Sequence, residues 1–331
     1  MLSPPLPLQS GLSIEFVSGL VDVTVAASTV LILAALGEIV AQKAGVLNLG
    51  LEGMMLFGAL SGFVAATATG NLYLGFGAAI LVGMAVAGLH AFLCISLKSD
   101  QVISGLMITL LGIAVTTYFG SSRNGEAIDG ANEVMVPLVG EYLVQVPIIG
   151  EAFFRAAPTD YLALLLVPTV WYFLYRTNLG LELTAVGEDP ATADTVGVPV
   201  FKLRYAATLF GGALAGLAGA HLSLVFSELW VNNIVAGRGW IAVALVLVAR
   251  WRPFRALLIA FVFAGLDAFQ VQSQGLDLGS GPVLSFLMDP TVMLMYPYLA
   301  TILILWLASR GEVRERLGGP AALTQPYIRE E

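Results

Sequence analysis

Long uncharged apolar runs follow one another along most of the chain, and short polar connections separate them. A helix needs roughly 20 residues to cross about 30 Å of hydrocarbon, which is close to the length of most of these runs. They predict an all-α, polytopic transmembrane helical bundle of about nine spans, within a range of eight to ten. The predicted spans are Leu20–Gly37, Met54–Thr69, Leu72–Leu97, Val102–Gly120, Tyr161–Tyr175, Tyr205–Phe226, Trp240–Ala249, Ala256–Gln274 and Pro290–Ser309.

In two segments, the length of the apolar run does not by itself decide how many spans are present. The segment Gly53–Leu97 contains no Asp, Glu, Lys or Arg, so two spans must share it, and the turn residues Thr69–Asn71 divide them. The run Trp240–Ala249 lies between Arg238 and Arg250 and is short for a full crossing. We keep it as a span because the distribution of basic residues is regular only if it crosses.

The basic residues indicate the orientation of the chain, because cytoplasmic loops collect Lys and Arg. With the N-terminus outside and every predicted span crossing, all of the 15 basic residues fall in the cytoplasm except Arg123, Arg155 and Arg238. The C-terminus is then cytoplasmic. The predicted organisation is a short extracellular tail at 1–19, a transmembrane domain at 20–310 and a cytoplasmic tail at 311–331. Within the domain, 121–158 is extracellular and 180–204 is cytoplasmic.

Composition supports a membrane protein and narrows its chemistry. Only 11% of residues are charged and the mean hydropathy is +0.87, which is unusual for a soluble domain. The 36 glycines, several of them in small-residue runs such as Gly211–Ala220, predict closely packed helices. The two histidines, His90 and His221, lie in separate apolar spans, and no phosphate-binding glycine loop occurs. We therefore expect no enzyme activity and no cofactor in this chain.

Asp267 is the clearest ionisable residue deep within a predicted span. Carboxylates in such places are energetically costly and usually functional. An ion-coupled secondary transporter that uses Asp267 is therefore one reading of the sequence. A single carboxylate is a narrow basis for a proton or ion relay, so the polar segment in the middle of the chain becomes the more informative feature.

The segment Gly180–Arg204 interrupts the apolar pattern with a short helix signal. Asp189 is suited to an N-cap, Pro190 to the first helical position and Gly197 to a C-terminal stop. The signal predicts a helix of about seven residues on the cytoplasmic face, which could enter a groove of a soluble partner. An ordinary solvated loop is the alternative. The side chains available to the groove would be those of Ala191, Ala193 and Val196.

A resemblance to a known family rests on three blocks of sequence. They are AGVLNLGLEGMMLFGAL (Ala44–Leu60), LELTAVGEDPATADTVGVPVFKLRYAATLFGGALAGLAGA (Leu181–Ala220) and GRGWIAVALVLVARWRPFRAL (Gly237–Leu257). In this order they resemble the permease subunits of bacterial ABC importers, in the branch for branched-chain amino acids, simple sugars and nucleosides. The likeness covers about residues 20–310 and is strongest to the nucleoside permeases that work with basic-membrane-protein-type lipoproteins.

The resemblance implies a permease subunit that forms half of the pathway for a small polar solute. It implies a nucleoside as cargo, with a simple sugar or a branched-chain amino acid as alternatives. ATP and Mg would bind to a separate ATPase subunit. The other implied partners are a second permease in a heterodimer, an extracellular or periplasmic substrate-binding protein and membrane lipid, but no nucleic acid. The location would be a bacterial plasma membrane, the inner membrane in a Gram-negative cell.

The resemblance also assigns roles to residues. The cytoplasmic loop would dock onto the ATPase through Gly187, Glu188, Asp189, Pro190, Ala193 and Gly197. The residues themselves, and not the resemblance, suggest candidates for the pathway, which are Tyr118, Gly237, Arg238, Gly239, Trp240 and Asp267. The GRG sequence either breaks a helix at membrane depth, so that the positive end of the next segment faces the pathway, or is an extracellular loop. The role of the turn Asn48–Gly53 stays open.

Overall fold

A computed structural model describes residues 14–128, 136–137, 141–273 and 319–328, together with isolated positions between 286 and 306. The described chain is helical, apart from one antiparallel pair of two-residue strands, β1 (Val136–Pro137) and β2 (Arg155–Ala156). The helices are α1 (Ile14–Lys43), α2 (Leu51–Thr69), α3 (Leu72–Ala91), α4 (Gln101–Gly120), α5 (Glu141–Val144), α6 (Gly150–Phe154), α7 (Pro158–Arg176), α8 (Asn178–Glu188), α9 (Pro190–Thr195), α10 (Val200–His221), α11 (Arg238–Ala249) and α12 (Pro253–Ser273).

Short helical extensions follow three of these elements. The helices α3 and α10 continue as π-helical turns, and α4 continues as a 3₁₀ turn, at Phe92–Ser96, Leu222–Phe226 and Ser121–Arg123 respectively. A further short helix covers Pro290–Met293. The all-α prediction is confirmed for the described residues, apart from the two short strands.

Six helices in the described part of the chain are long and apolar enough to cross a membrane: α1, α2, α3, α4, α10 and α12, with their extensions. The helix α11 is apolar but has only 12 residues. The helix α7, which covers the fifth predicted span, has 19 residues with Pro168 inside it and is not among the six. The ninth predicted span, Pro290–Ser309, lies largely outside the described residues. The span count and the orientation stay predictions.

The helix α1 is the centre of the bundle. Its residues 27–42 are all buried, as expected for a helix that is apolar on every side. The helices α7, α10, α11 and α12 pack directly against it. The helix α10 also packs against α2 and α3, so that α1, α2, α3 and α10 form the core to which the candidate site is attached.

Glycines bring α2 and α10 into backbone contact. A Cβ atom on Gly58 would overlap the carbonyl of Gly216, and one on Gly219 would overlap the carbonyl of Met55. Only glycine permits this approach, and small residues serve the same purpose at helix contacts in lipid. The prediction of close packing from the glycine-rich run of α10 is therefore confirmed.

Candidate functional site

The link between α1 and α2, residues 44–50, folds back alongside α1. The N–H group of Asn48 donates to Oε1 of Glu38 at 3.0 Å, and Glu38 lies five residues before the end of α1. At about 1.5 Å of rise per residue, this contact brings Asn48 back along α1 by roughly 7 Å. The helix α2 therefore begins inside the bundle and not at its edge.

Side chains from α3 and α4 form hydrogen bonds with the backbone N–H and C=O groups of this link. The N–H group of Leu47 donates to Oε1 of Gln101 at 2.7 Å, and its carbonyl lies 3.1 Å from Nε2 of His90. The carbonyl of Leu49 accepts from the hydroxyl of Thr109 at 3.1 Å. Irregular backbone at membrane depth is tolerated where protein groups satisfy it in this way. His90 thus has a structural role.

The turn Asn48–Gly53, whose role the sequence left open, shapes this link. Oδ1 of Asn48 accepts from the N–H group of Gly50 at 3.0 Å, which tightens the turn before α2. A Cβ atom on Gly53 would overlap the carbonyl of Ile108, so this glycine lets α2 lie directly on α4. The motif therefore sets where α2 begins.

Glu52 holds the N-terminus of α11. Its Oε1 accepts from the N–H group of Gly237 at 2.8 Å, and its Oε2 accepts from that of Gly239 at 2.7 Å. Glu52 is buried, and Gly237 caps the helix with a φ of 87°. The unpaired N–H groups of a helix N-terminus favour a negative charge. The helix begins at Arg238, two residues before the predicted start of the span at Trp240, and the carboxylate of Glu52 occupies its positive end.

Arg238 links Glu52 to a further pathway candidate, Asp267. Arg238 is near enough to Glu52 and Asp267 to interact electrostatically with both. Its guanidinium also lies 5.9 Å from the centre of the Phe226 ring. We call Glu52, Gly237, Arg238, Gly239 and Asp267 the Glu52 cluster. It joins α2 to the consecutive helices α11 and α12, and Glu52 and Gly237 are 185 residues apart in the sequence.

The two aromatic candidates are on the surface of the described chain. Trp240, in the first turn of α11, is partly exposed. Tyr118 is on α4, where it is exposed and packs edge-on against Phe119 with ring centres 5.0 Å apart. The candidates that come together are therefore the polar and glycine positions, and Tyr118 belongs to a different helix.

A second buried network, which the sequence analysis missed, joins α1 to the turn between α11 and α12. Nε1 of Trp251 donates to Oε1 of Gln42 at 2.6 Å, and Nε2 of Gln42 donates to Oε1 of Glu38 at 2.7 Å. Glu38 therefore contacts both this network and the link between α1 and α2. The sequence did carry one signal for this network, which is the carboxylate of Glu38 within an apolar run. Such a group needs hydrogen-bonding partners inside the bundle.

The polar interruption folds largely as helix. Residues 180–188 belong to α8, so they are not the loop that was predicted, and a short helix follows. In α9, Oδ1 of Asp189 accepts from the N–H groups of Ala191 and Thr192 at 3.1 and 3.0 Å. These bonds and the hydroxyl of Thr192 hold the pKa of Asp189 below its usual value, the hydroxyl having the largest effect. Pro190 occupies the first position and Gly197 has a φ of 87°. The predicted short helix is confirmed.

The direction of one side chain of α9 was predicted wrongly. Ala193 is only 4% exposed and packs against Val186 and Val200 within this chain. It fixes α9 to the bundle and is not available to a partner's groove. The residues of α9 and its C-cap that do face outward are Ala191, Thr192, Thr195 and Val196.

Residues 319–328, which we call the strap, lie against the α8–α9 region. The N–H group of Ala322 donates to the carbonyl of Gly187 at 2.9 Å. The hydroxyl of Tyr327 donates to Oδ2 of Asp194 at 2.9 Å. The strap falls within the predicted cytoplasmic tail, where nothing in the sequence indicated a contact. It holds α9 from a second side.

The start of α10 also contacts the strap. Arg204 is buried, and its Nη1 donates to the carbonyl of Gln325 at 3.3 Å. The rings of Phe201 and Tyr327 lie 5.6 Å apart. An open groove of about 800 Å³ remains between α9 and the strap. The helix α9, its C-cap and the strap therefore form one continuous surface, which we call the α9 surface.

Comparisons with known proteins place this chain in a family. Residues 20–288 match the family described as "Branched-chain amino acid transport system / permease component". The chain is 57% identical over 326 residues to "Putative glucose ABC transporter permease protein TsgC13" of Haloferax volcanii, covering 96% of this chain and 99% of the relative. It is 31% identical over 335 residues to "Guanosine ABC transporter permease protein NupQ" of Bacillus subtilis, covering 96% and 98%.

A third relative is "Nucleoside ABC transporter permease protein NupC" of Lactococcus lactis, with 31% identity over 292 residues, covering 84% of this chain and 88% of the relative. No solved structure matches the chain. The family match and the apolar helices together indicate a multi-pass membrane protein.

Proposed function

Because the chain belongs to the branched-chain amino acid transport system permease family, we propose that it is the transmembrane subunit of an ATP-driven importer and forms half of its pathway. The observation that carries the proposal is α9, a short capped helix with one exposed face and one face fixed to the bundle. A soluble motor needs such a surface to act on a membrane protein. The subunit would lie in a plasma membrane. The resemblance described above implies that this membrane belongs to a bacterium.

The proposed assembly contains four kinds of subunit. An ATPase subunit, which binds ATP and Mg, contacts the α9 surface, and a second permease completes the pathway as a heterodimer. A substrate-binding protein delivers the solute from outside. Closure of the ATPase subunits moves α9, and the contacts of Ala193 and the strap transmit this movement to α10. The Glu52 cluster lies where the helix α11 begins, as expected of a transporter with discontinuous helices.

We propose that the cargo carries a sugar ring. The relatives named above are permeases for glucose, guanosine and nucleosides, and a ribose is part of every ribonucleoside. A free sugar ranks ahead of the nucleoside that the sequence suggested, because the glucose relative is 57% identical and the other two are 31% identical. A branched-chain amino acid ranks third.

Uptake by reconstituted protein tests the function. We expect proteoliposomes with this chain, a second permease and the ATPase to accumulate labelled glucose or guanosine only when ATP and the binding protein are supplied. The Asp267→Asn variant should keep a dependence on ATP. Uptake by this chain alone, driven by an ion gradient and lost in Asp267→Asn, would establish the ion-coupled carrier instead.

Labelling of single cysteines tests the orientation. Two exposed positions at opposite predicted faces are Ser122, after α4, and Ala191, in α9. In a Cys94→Ala background, we expect Ser122→Cys to react with an impermeant thiol reagent in intact cells and Ala191→Cys to react only after the membrane is opened. The opposite pattern would place α9 outside, where no ATPase could reach it.

A further inference from the structure

A basic cleft lies where α7 ends and α12 begins. It has a volume of about 550 Å³, and its lining residues are Trp171, Tyr175, Arg176, Arg252, Phe254 and Arg255. The cleft is on the same side of the bundle as α9, because α8 follows the end of α7 directly and leads into α9. It is separate from the Glu52 cluster, and it adjoins the α9 surface through a pocket that Arg252 and Arg255 share with Pro320 of the strap.

The three arginines of the cleft are exposed and lack an internal counter-ion in the described part of the chain. The ion pair found there, Arg123–Glu126, and the contact between Asp160 and His221 use other residues. Arg252 and Arg255 both line the cleft together with Tyr175 and Arg176, so that their charges face one space. Like charges brought together repel, so a bound anion would stabilise the arrangement.

The carboxylate of Glu188 borders the adjoining pocket, which it shares with Arg252 and Arg255. Glu188 is engaged elsewhere, since it accepts from the N–H group of Ala321 at 3.3 Å and interacts electrostatically with Lys43. Its charge is therefore shared among several groups. The cleft retains an excess of positive charge.

The aromatic residues of the cleft indicate a position at the edge of the membrane. The guanidinium of Arg176 lies 5.7 Å from the centre of the Trp171 ring, and the ring of Phe254 meets Trp171 at 6.0 Å. Tyr172 and Tyr175 are exposed beside them. Tryptophan and tyrosine collect at the level of lipid head groups.

An exposed apolar stripe leads away from the arginines along α12. Phe254, Leu258 and Val262 are 46%, 66% and 51% exposed, and they are spaced four residues apart, which places them on one face of the helix. A free anion bound to the arginines would leave these apolar side chains uncovered, and so would a polar protein surface. An acyl chain lying beside α12 would cover it.

We propose that this cleft binds the phosphate-bearing head group of an anionic phospholipid, with an acyl chain along Phe254, Leu258 and Val262. Arginine suits this ligand because its planar guanidinium matches two phosphate oxygens. Basic pockets between transmembrane helices on the cytoplasmic side are known to take such head groups. The assignment to the cytoplasmic leaflet rests on the proposed function; the binding itself does not.

Quenching of Trp171 by brominated lipids tests the site. The full chain is reconstituted in phosphatidylcholine vesicles that contain increasing fractions of brominated phosphatidylglycerol or brominated phosphatidylcholine, and a Trp171→Phe protein gives the background. We expect half-maximal quenching at a mole fraction at least about fivefold lower for phosphatidylglycerol. The variant Arg252→Gln/Arg255→Gln should lose this preference, and Arg123→Gln, at the other end of the bundle, should keep it.

Three outcomes would overturn the proposal. The first is equal quenching by the two lipids in the unmodified chain. The second is loss of the preference in the presence of inorganic phosphate at a concentration that leaves the ionic strength matched, which would assign the cleft to free phosphate. The third is an unchanged lipid preference in Arg252→Gln/Arg255→Gln with loss of ATPase binding, which would assign the arginines to the ATPase. Because the vesicles carry the lipid in both leaflets, the result holds even if α9 proves to lie outside.

Discussion

The variant Val196→Arg should reach the membrane in normal amounts but fail to hold the ATPase and fail to transport. Val196 is 75% exposed at the C-cap of α9 and is the large apolar side chain of its outward face. Burial of a valine in a partner contributes roughly 1.5–3 kcal/mol, and an arginine there would add an uncompensated charge. Since 1.4 kcal/mol is a tenfold change, we expect at least about a hundredfold loss of ATPase affinity. Co-purification of the ATPase with the tagged chain measures it, alongside uptake.

Two further arginine variants serve as a control and a comparison for Val196→Arg. Ser122→Arg introduces the same side chain at an exposed turn on the opposite face and should leave folding, ATPase binding and uptake unchanged. Ala193→Arg, at a residue that the sequence predicted to enter the partner's groove, should instead reduce the yield of folded protein, because Ala193 packs against Val186 and Val200. If Val196→Arg transported normally, α9 would not be the docking element.

The variant Glu52→Ala should lose much of its thermal stability. The change leaves the partly buried N–H group of Gly237 and the buried N–H group of Gly239 without their acceptors. A buried donor that is left unsatisfied costs about 1–3 kcal/mol. Glu52→Gln keeps one acceptor oxygen, so its thermal stability should lie between those of the unmodified chain and Glu52→Ala. The midpoint of thermal unfolding in detergent and the folded fraction after purification are the measurements.

Glu126→Ala is the matched control, because this glutamate is exposed and pairs with Arg123 at 3.2 Å on the surface. Exposed pairs contribute about 0–1 kcal/mol, so its midpoint should be close to that of the unmodified chain. A Glu52→Ala chain as stable as this control would mean that α11 holds its N-terminus without the carboxylate. The Glu52 cluster would then lose its proposed structural basis.

Local rules were sufficient for part of the fold. The helices α1, α2, α3, α4, α10 and α12 follow from apolar runs of spanning length. The start of α9 follows from an acidic cap and a proline, and its end from Gly197, all within nine residues of sequence. In each case the physical cause lies inside the element itself, which is why the sequence displays it.

Contacts between distant residues were not predictable in this way. The bond between Glu52 and Gly237 joins residues 185 positions apart, and that between Leu47 and Gln101 joins residues 54 apart. The inward direction of Ala193 depends on where α8 and α10 lie. A periodic pattern shows that a residue is apolar, but not which neighbour it meets.

The strap is synthesised long after the helix that it contacts. Tyr327 and Asp194 are separated by 133 residues, so α9 leaves the ribosome well before the segment that supports it. During that interval the nascent chain displays α9 supported by only one of its two sides. A chain interrupted anywhere between α12 and the strap would still contain every described long helix, yet would present an unfinished surface to the motor.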